Sequence, residues 1–591
     1  MATVTIGHGP CRPLMADFVP PSGVAIMSIM SRKLPEDRLD SWKAIARYLG
    51  RSVRTVRRWE QSQALPIHRL MHHSKASVYA YPQELDDWRE ARAHGPSKTP
   101  LSNSPVGSAG GMPGPSRSIE DKGDAAGIAV LPFSFAGPDP SHSWVADGLT
   151  EEMISGFSRL AKMRVTSRTS SSAFKSSDQD SKAIAGLLGV SYLLEGGVLG
   201  DGRRFRINVR LIDPQQDDHV WSQQFACDIE QIFDIQEKIV RAVVDSLHLQ
   251  LAPLEEANVG QPAVSDISAW RLVVLARQAA LRWNPEALGK ARSLLTEALE
   301  LIGENATICA TMGRVLLNYQ EAGIITDEDL SVEARSWAKR AHMVDSGHPE
   351  TRILNGWLAH TTGDLGLAIE ELEKALEQDR DHPDALLLLA NCLLRTGQTR
   401  RARPVIDHVL AVDPLTPLTR CMPGFLNAME GRFESAIGPY RDMLERDPAN
   451  PVARLFNVWI LFVAGHDDEA IAVARGFEGT AEQSTPAHLA RQLTAAHQGT
   501  LEDRPLANSV TKAAWESEMY SRHAAEGWAK AGNAKRAAQW LDRAVELGFV
   551  NWPYLAERSP FFSRLTDDPS LKPVLDKAKR RWKAISERSS N

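Results

Sequence analysis

Residues 363–402 read GDLGLAIEELEKALEQDRDHPDALLLLANCLLRTGQTRRA, and the glycine and alanine that open this stretch, Gly363 and Ala368, return 34 residues later as Gly397 and Ala402. The same pair recurs as Gly431 with Ala436 and Gly465 with Ala470, and Asp345, Asp379, Asp413 and Asp447 keep the same spacing. Seven residues before each glycine stand Gly356, Ala390, Gly424 and, as a departure, Val458. Glycine admits the left-handed backbone of a tight turn, and small residues let two helices approach closely. The period therefore predicts tandem helix–turn–helix units, with Pro414 and Pro448 ending two of the second helices.

This spacing and residue pattern resembles the tetratricopeptide repeat. Upstream, Ala334 and Ala341 keep the phase, and Ala291 and Ala298 look like the same pair displaced by a longer connection. Downstream, Gly499 is in phase, but Arg504 takes its alanine slot and Pro505 follows; Gly532, Ala537 and Ala544 resume one residue out of phase. About seven or eight units between roughly 262 and 548 are expected, inside a solenoid of residues 262–585 with a C-terminal cap; at least about three stacked units are needed for stability. Such arms bind protein or peptide partners on a concave face lined by first helices. Trp357, Asn391, Asn427 and Asn457 fall near that phase and are the candidate partner contacts, although Trp357 suits burial between repeats better than display.

At 591 residues, with 43% hydrophobic and 24% charged residues, the chain has the composition of a soluble multidomain protein. Its formal net charge of −6 gives no global reason to bind nucleic acid. The cysteines at 11, 227, 309, 392 and 421 form neither a CxxC pair nor a cysteine–histidine metal pattern, so no metal, cofactor or disulfide framework is expected. With no run apolar enough to span a membrane, a cytoplasmic protein is expected. Residues 1–34 read as a disordered arm.

The charge is unevenly distributed. In DSWKAIARYLGRSVRTVRRWEQSQALPIHRL, from Asp40, the residues Trp42, Ile45, Ala46 and Leu49 share one helical face, Gly50 breaks the helix, and Ser52 is placed to cap a second. That second helix carries Val56 and Trp59 inward and Arg54, Thr55, Arg57 and Arg58 outward. Between Lys43 and Lys75 there are eight basic residues and one acid, Glu60, a local charge of +7. The segment SVYAYPQELDDW adds a strand near Val78 to Tyr81 and a helix opened near Pro82. Together, LGRSVRTVRRWE and the VYAY strand resemble the small winged helix-turn-helix domains of the MerR and excisionase group. The resemblance implies a DNA-binding domain over 35–94, with Arg51, Arg54, Thr55, Arg57 and Arg58 on duplex DNA and Arg69 and Lys75 adding backbone contacts from the wing. A solvated basic face, or a different acidic partner, is the plainer alternative. His68, His72 and His73 suit wing residues better than a metal site.

Residues 95–126, rich in Gly, Pro and Ser, read as a flexible linker. An α/β domain follows over 127–252: a strand at IAVLPF, a helix from about Thr150 to Leu160, a strand near Met163 to Ser167, a helix over Ser181 to Leu188, two strands turning at Asp201–Gly202, and a closing helix from about Ile229 to Leu249. IAVLPF, VADGLTEEMISGFSRL, RVTSRTSSSAFK and GVSYLLEGGVLGDGRRFRINVRLID, followed by HVWSQQFACDI, resemble the TolB amino-terminal-like (FlgO-like) domain. That resemblance implies a ligand, partner or assembly role and no catalytic residues.

Nothing in the sequence favours an enzyme. Glycines 196, 197, 200 and 202 precede no Lys-Ser or Lys-Thr and suit a hairpin, and the serines from Ser167 to Ser172 suit a loop. Asp147, Glu151 and Glu152 suit the start of a helix, where carboxylates offset its dipole. The expected molecule is a DNA-binding transcriptional regulator with a winged helix-turn-helix head, an α/β middle domain and an all-α tetratricopeptide arm. The alternatives are a cytoplasmic scaffold without DNA binding and an accessory to nucleotide-cyclase signalling.

Overall fold

The structure is a computed structural model that describes residues 39–49, 56, 65–70, 77–93, 126–175, 177, 179–216, 218–252, 262–282, 284–321, 330–479, 484–503 and 508–588. The chain divides into two compact units, Met1–Ile119 and Glu120–Asn591.

In the first unit, Ser41 caps a helix over Trp42–Tyr48, its hydroxyl accepting from the Ala44 amide at 3.3 Å. Strands β1 (Leu39–Asp40), β2 (His68–Leu70) and β3 (Ser77–Ala80) form an antiparallel sheet in the order β1-β3-β2, and a helix over Pro82–Ala93 follows. Ile45, Ala46, Val56, Leu65, Ala80 and Leu85 are its buried core, with Trp42 and Leu49 packed against it. The apolar face read from the sequence is thus the one that is buried. His68 belongs to this framework: it stacks on Tyr79 with ring centroids 5.1 Å apart and its Nε2 lies 2.7 Å from Glu84.

The second unit opens with a mixed sheet, β4 (Ala126–Val130), β5 (Ser134–Ala136), β6 (Met163–Val165), β7 (Tyr192–Gly200), β8 (Arg204–Asp213) and β9 (Asp218–Asp228). Its order is β6-β4-β7-β8-β9, with β5 also on β7; β4 runs parallel to β6 and β7, and β7, β8 and β9 are antiparallel. The glycine-rich stretch is the β7–β8 hairpin, in which Asp201 Oδ1 accepts from the amides of Arg203 and Arg204. Gly196 is needed for packing, since a Cβ there would sit 2.4 Å from the Phe133 ring. The first helix runs over Trp144–Ser158 and so begins six residues before the expected Thr150; the closing helix is Ile232–Ser246.

Eight helical hairpins follow among the described residues, the first pairing Ile267–Ala280 with Pro285–Ile302, the second Ala306–Glu321 with Leu330–Val344, and the eighth Glu518–Lys530 with Ala534–Glu546. The central ones, third to sixth, are Pro349–Thr362 with Leu365–Leu376, Pro383–Arg395 with Thr399–Val412, Pro417–Met429 with Phe433–Arg446, and Pro451–Ala464 with Asp467–Ala474. Each of these first helices opens on a proline at its first position, where the missing amide is not needed and φ is already helical. Gly363, Gly397, Gly431 and Gly465 all turn with φ between +71° and +87°, and Ala368, Ala402, Ala436 and Ala470 are completely buried. Gly499 also ends its helix left-handed, but the second helix of that hairpin, Asn508–Glu516, has only nine residues, so the irregular unit is irregular in shape too.

Val458 departs from the small-residue pattern and its partner position departs with it. A Cβ on Gly356 would lie 2.8 Å from Leu372, and one on Gly424 would lie 3.1 Å from the Tyr440 ring. Sixteen residues after Val458, the position of Leu372 and Tyr440 is held by Ala474. In the repeat register a larger residue at 458 is thus matched by a smaller one at 474.

Candidate binding surfaces

Of the residues expected to meet DNA, Arg51, Arg54, Thr55, Arg57, Arg58 and Lys75 lie outside the described residues. Arg69 is on β2, opposite Val78 of β3, so it stands on the hairpin expected as a wing.

The arm is engaged by its own chain on several sides. The α/β domain shares one core with the first hairpins, where Trp270 meets Trp144 and Phe233 edge-on at 5.2 and 5.1 Å and donates its indole N–H to Glu152 Oε1 at 3.1 Å. Glu151 pairs with Arg168 and faces Arg277 at 3.9 Å. The helix begins at Trp144, so Glu151 and Glu152 lie beyond its first turn, where the dipole is weak. They tie two layers together instead of capping a helix, which corrects the expectation. Burial raises the Glu152 carboxyl above its usual range, against the opposing charge of Arg277.

Edge strand β6 and the serines after it dock on the turns between hairpins. The Val165 amide donates to Asp381 Oδ2 at 2.8 Å, the Ser167 amide to the Val412 carbonyl at 2.7 Å, and the Leu415 amide to Ser170 Oγ at 3.1 Å. Asp413, 5% exposed, accepts the Ser167 and Ser170 hydroxyls at 2.5 and 2.6 Å and that of Thr419 at 3.2 Å. The expected serine loop is a short helix, Arg168–Ser172, because Ser167 caps it by accepting from the Ser170 amide.

On the opposite edge, the row of turn glycines receives the C-terminal segment. A Cβ on Gly363 would lie 2.4 Å from the Glu546 carbonyl and one on Gly397 would lie 2.9 Å from Asn551. Asn551 Nδ2 donates to the Leu394 carbonyl at 2.9 Å, Arg558 to that of Met429 at 2.7 Å, and Arg581 to that of Gly363 at 2.9 Å. Gly465 and Gly499 have no such neighbour.

First helices of hairpins four to six, which face the interior of the solenoid, meet the first helix of the eighth. Arg395 reaches Glu518 at 3.3 Å, and Arg522 lies over Trp459 and Phe549 at 5.0 and 5.1 Å from their centroids. Arg522 also pairs with Glu526 at 3.3 Å, and Glu526 takes the Tyr554 hydroxyl at 2.8 Å. Burial alone would raise the Glu526 carboxyl, but Arg522 and His523 hold it below its usual value. His523, wholly buried and beside Arg522, is pushed down to about 4.

The four residues expected to contact a partner have neighbours inside the arm. Asn457 is 3% exposed and its amide donates to the carbonyls of Tyr440 and Ala453, at 2.6 and 3.0 Å. Asn427 bonds the Ser435 carbonyl at 3.1 Å and receives Arg432, and Asn391 bonds His360 at 3.2 Å. Trp357 is packed between two core clusters under the Arg314 guanidinium, 3.8 Å from its centroid. The three amides each find partners within the arm, as amides in a close-packed helix layer must.

Comparisons with known proteins agree with the hairpins. Residues 359–418 match the tetratricopeptide repeat family model. The helical arm is a tetratricopeptide-like solenoid. Residues 124–242 match the model of the second domain of HilA/YgeH-like transcriptional regulators, which covers the mixed sheet. A putative adenylate cyclase 3 of Rhizobium meliloti (strain 1021) is 32% identical over 225 residues, 38% of each chain. This chain therefore matches about two fifths of the length of that curated relative. Among solved structures, a tetratricopeptide repeat protein from Parabacteroides merdae aligns at 13% identity over 53% of this chain and 100% of its own, with a TM-score of 0.31. A thermophilic TPR protein of Thermus thermophilus aligns at 17% over 33% and 99%, with a TM-score of 0.27. No helix among the described residues is long and apolar enough to cross a membrane.

Proposed function

We propose that the protein is a DNA-binding transcriptional regulator: a winged helix-turn-helix head reads duplex DNA, and the tetratricopeptide arm takes a protein or peptide partner. The observation that carries this reading is the match of residues 124–242 to a domain of transcriptional regulators, in a chain whose first unit is small and locally basic. The helix–sheet core of that unit supports the resemblance to winged DNA-binding domains, with Val56 buried at the place where the second helix is expected. On this reading Arg51, Arg54, Thr55, Arg57 and Arg58 meet duplex DNA, and Arg69 and Lys75 add backbone contacts from the wing side. The TolB amino-terminal-like α/β domain, docked along the solenoid, serves assembly and signal transfer. The activity is binding without catalysis, and its place is the cytoplasm.

The test is the full-length chain with arginines 54 and 57 changed to alanine, read by genome-wide crosslinking. Enrichment of one DNA motif by the unaltered chain, lost in the variant, supports the proposal; no enriched motif with the unaltered chain refutes it. A second reading, an accessory to nucleotide-cyclase signalling, is favoured by the adenylate-cyclase relative alone. Co-purification of a cyclase in place of DNA enrichment would support that reading.

A further inference from the structure

Resting on the reading of the arm as a partner-binding solenoid, we propose that its partner site is a groove on the outer, second-helix side between hairpins two and three, and that it takes a short amphipathic helix carrying carboxylates. The groove encloses about 410 Å³. One wall is the face of helix Leu330–Val344 that presents Arg335, Lys339 and His342; the floor is Leu358 and Ala359 of helix Pro349–Thr362; the other wall is helix Leu365–Leu376, whose Leu367 is left 43% exposed. Residues 335 to 342 span about two helical turns, roughly 10 Å, the length over which a docked helix offers apolar residues at i, i+3 or i+4, and i+7.

The charge is one-sided in effect. On the acidic wall, Asp364 Oδ1 accepts the Leu367 amide at 3.2 Å as a helix cap, and Glu371 faces Arg352 at 3.5 Å. On the basic wall, neighbouring Arg340 is bound by Glu304 at 2.8 Å, but Arg335, Lys339 and His342 have no ion pair among the described residues. With Arg352 set against Glu371, the cations Arg335 and Lys339 outnumber the Asp364 carboxylate, so the charge left over the apolar floor is positive, which complements carboxylates flanking an apolar stripe.

The repeat register explains why the groove is open here. One period on, Lys339 and Leu367 become Glu373 and Arg401, and these two form an ion pair across the equivalent groove. Ala338 and Ala359, which line the open groove, become Leu372 and Leu393. The arm's other surfaces argue the same way, since the turns at Gly363, Gly397 and Gly431 and the first helices of hairpins four to six are engaged in cis.

The test uses the full-length chain and two fluorescein-labelled 14-residue helical peptides, one with a leucine stripe and glutamates elsewhere, the other with lysines replacing the glutamates. The glutamate peptide is expected to bind about tenfold more tightly or better, a difference of about 1.4 kcal/mol. Lys339→Glu should weaken it by about tenfold or more, and Lys339→Glu with Leu367→Arg, which copies the Glu373–Arg401 pair, should remove binding while thermal unfolding is unchanged. Lys339 is exposed, so the single variant remains a test if the double one folds poorly. Equal affinity for the two peptides, no binding of either, or glutamate-peptide binding that survives both variants overturns the site. In the last case the arm still takes a peptide elsewhere, so the partner-binding reading survives; DNA binding is measured separately and is untouched by any of these outcomes.

Discussion

Replacing Asp413 with alanine removes the one carboxylate that gathers the Ser167, Ser170 and Thr419 hydroxyls at the docking of β6 on the arm. Hydrogen bonds to a charged group contribute about 1.5–3 kcal/mol each, and the freed hydroxyls regain part of this by rotating to other acceptors. Ser167 Oγ keeps its bond from the Ser170 amide, so a net loss of about 2–4 kcal/mol is expected, confined to this contact. In native-state hydrogen exchange, an opening free energy lowered by that amount speeds exchange about 30-fold to 1000-fold. The amides of Val165, Ser167 and Leu415, which bond across the contact, should show the change. The amides of Leu541 and Val545, buried in the eighth hairpin, serve as the control and should not. Rates within about twofold of the parent at 165, 167 and 415 would refute the latch, and equal acceleration at 541 and 545 would show a global loss of stability in its place.

Gly363→Ala should destabilise by about 1–3 kcal/mol more than Gly465→Ala in thermal unfolding, because both turn at positive φ but only the first drives a Cβ into a backbone carbonyl; equal costs would remove the C-terminal segment from the glycine row. His523 titrates near 4 when folded and near its ordinary 6.5 when unfolded, so the unfolded chain takes up the proton first: its contribution is whole above pH 6.5 and is lost as pH falls toward 4. His523→Gln should flatten that part of the stability profile, by an amount on the order of 3 kcal/mol, and an unchanged slope would contradict the assignment. Incubation with ATP and Mg²⁺ or Mn²⁺ should yield no cyclic nucleotide; its formation would overturn the proposal of binding without catalysis.

The repeat was legible because its glycines answer a local demand. Gly363, Gly397, Gly431 and Gly465 each adopt a backbone that side chains resist, and that requirement is written at every turn. The prolines at 349, 383, 417 and 451 carry the same 34-residue period and mark the helix starts, a further signal that the glycine and alanine reading passed over. The docking of Ser167 on Asp413 was not legible, since it joins residues 246 apart through hydroxyls that look like loop composition. Nor was the use of Glu151 and Glu152, because their partners Arg277 and Trp270 belong to another layer. The repeat phase put Asn457 near the inner face but does not encode that its amide turns to the carbonyls of Tyr440 and Ala453 inside the helix layer. The groove beside Lys339 was in principle readable, by comparing Lys339 and Leu367 with Glu373 and Arg401 one period on.

The most direct test of the DNA-binding claim is the salt dependence of full-length protein binding to duplex DNA, by fluorescence anisotropy between about 50 and 200 mM salt. Neutralising about four to six phosphates predicts a log-log slope of roughly −4 to −5. A slope near zero, or no binding at the low-salt end, would contradict it.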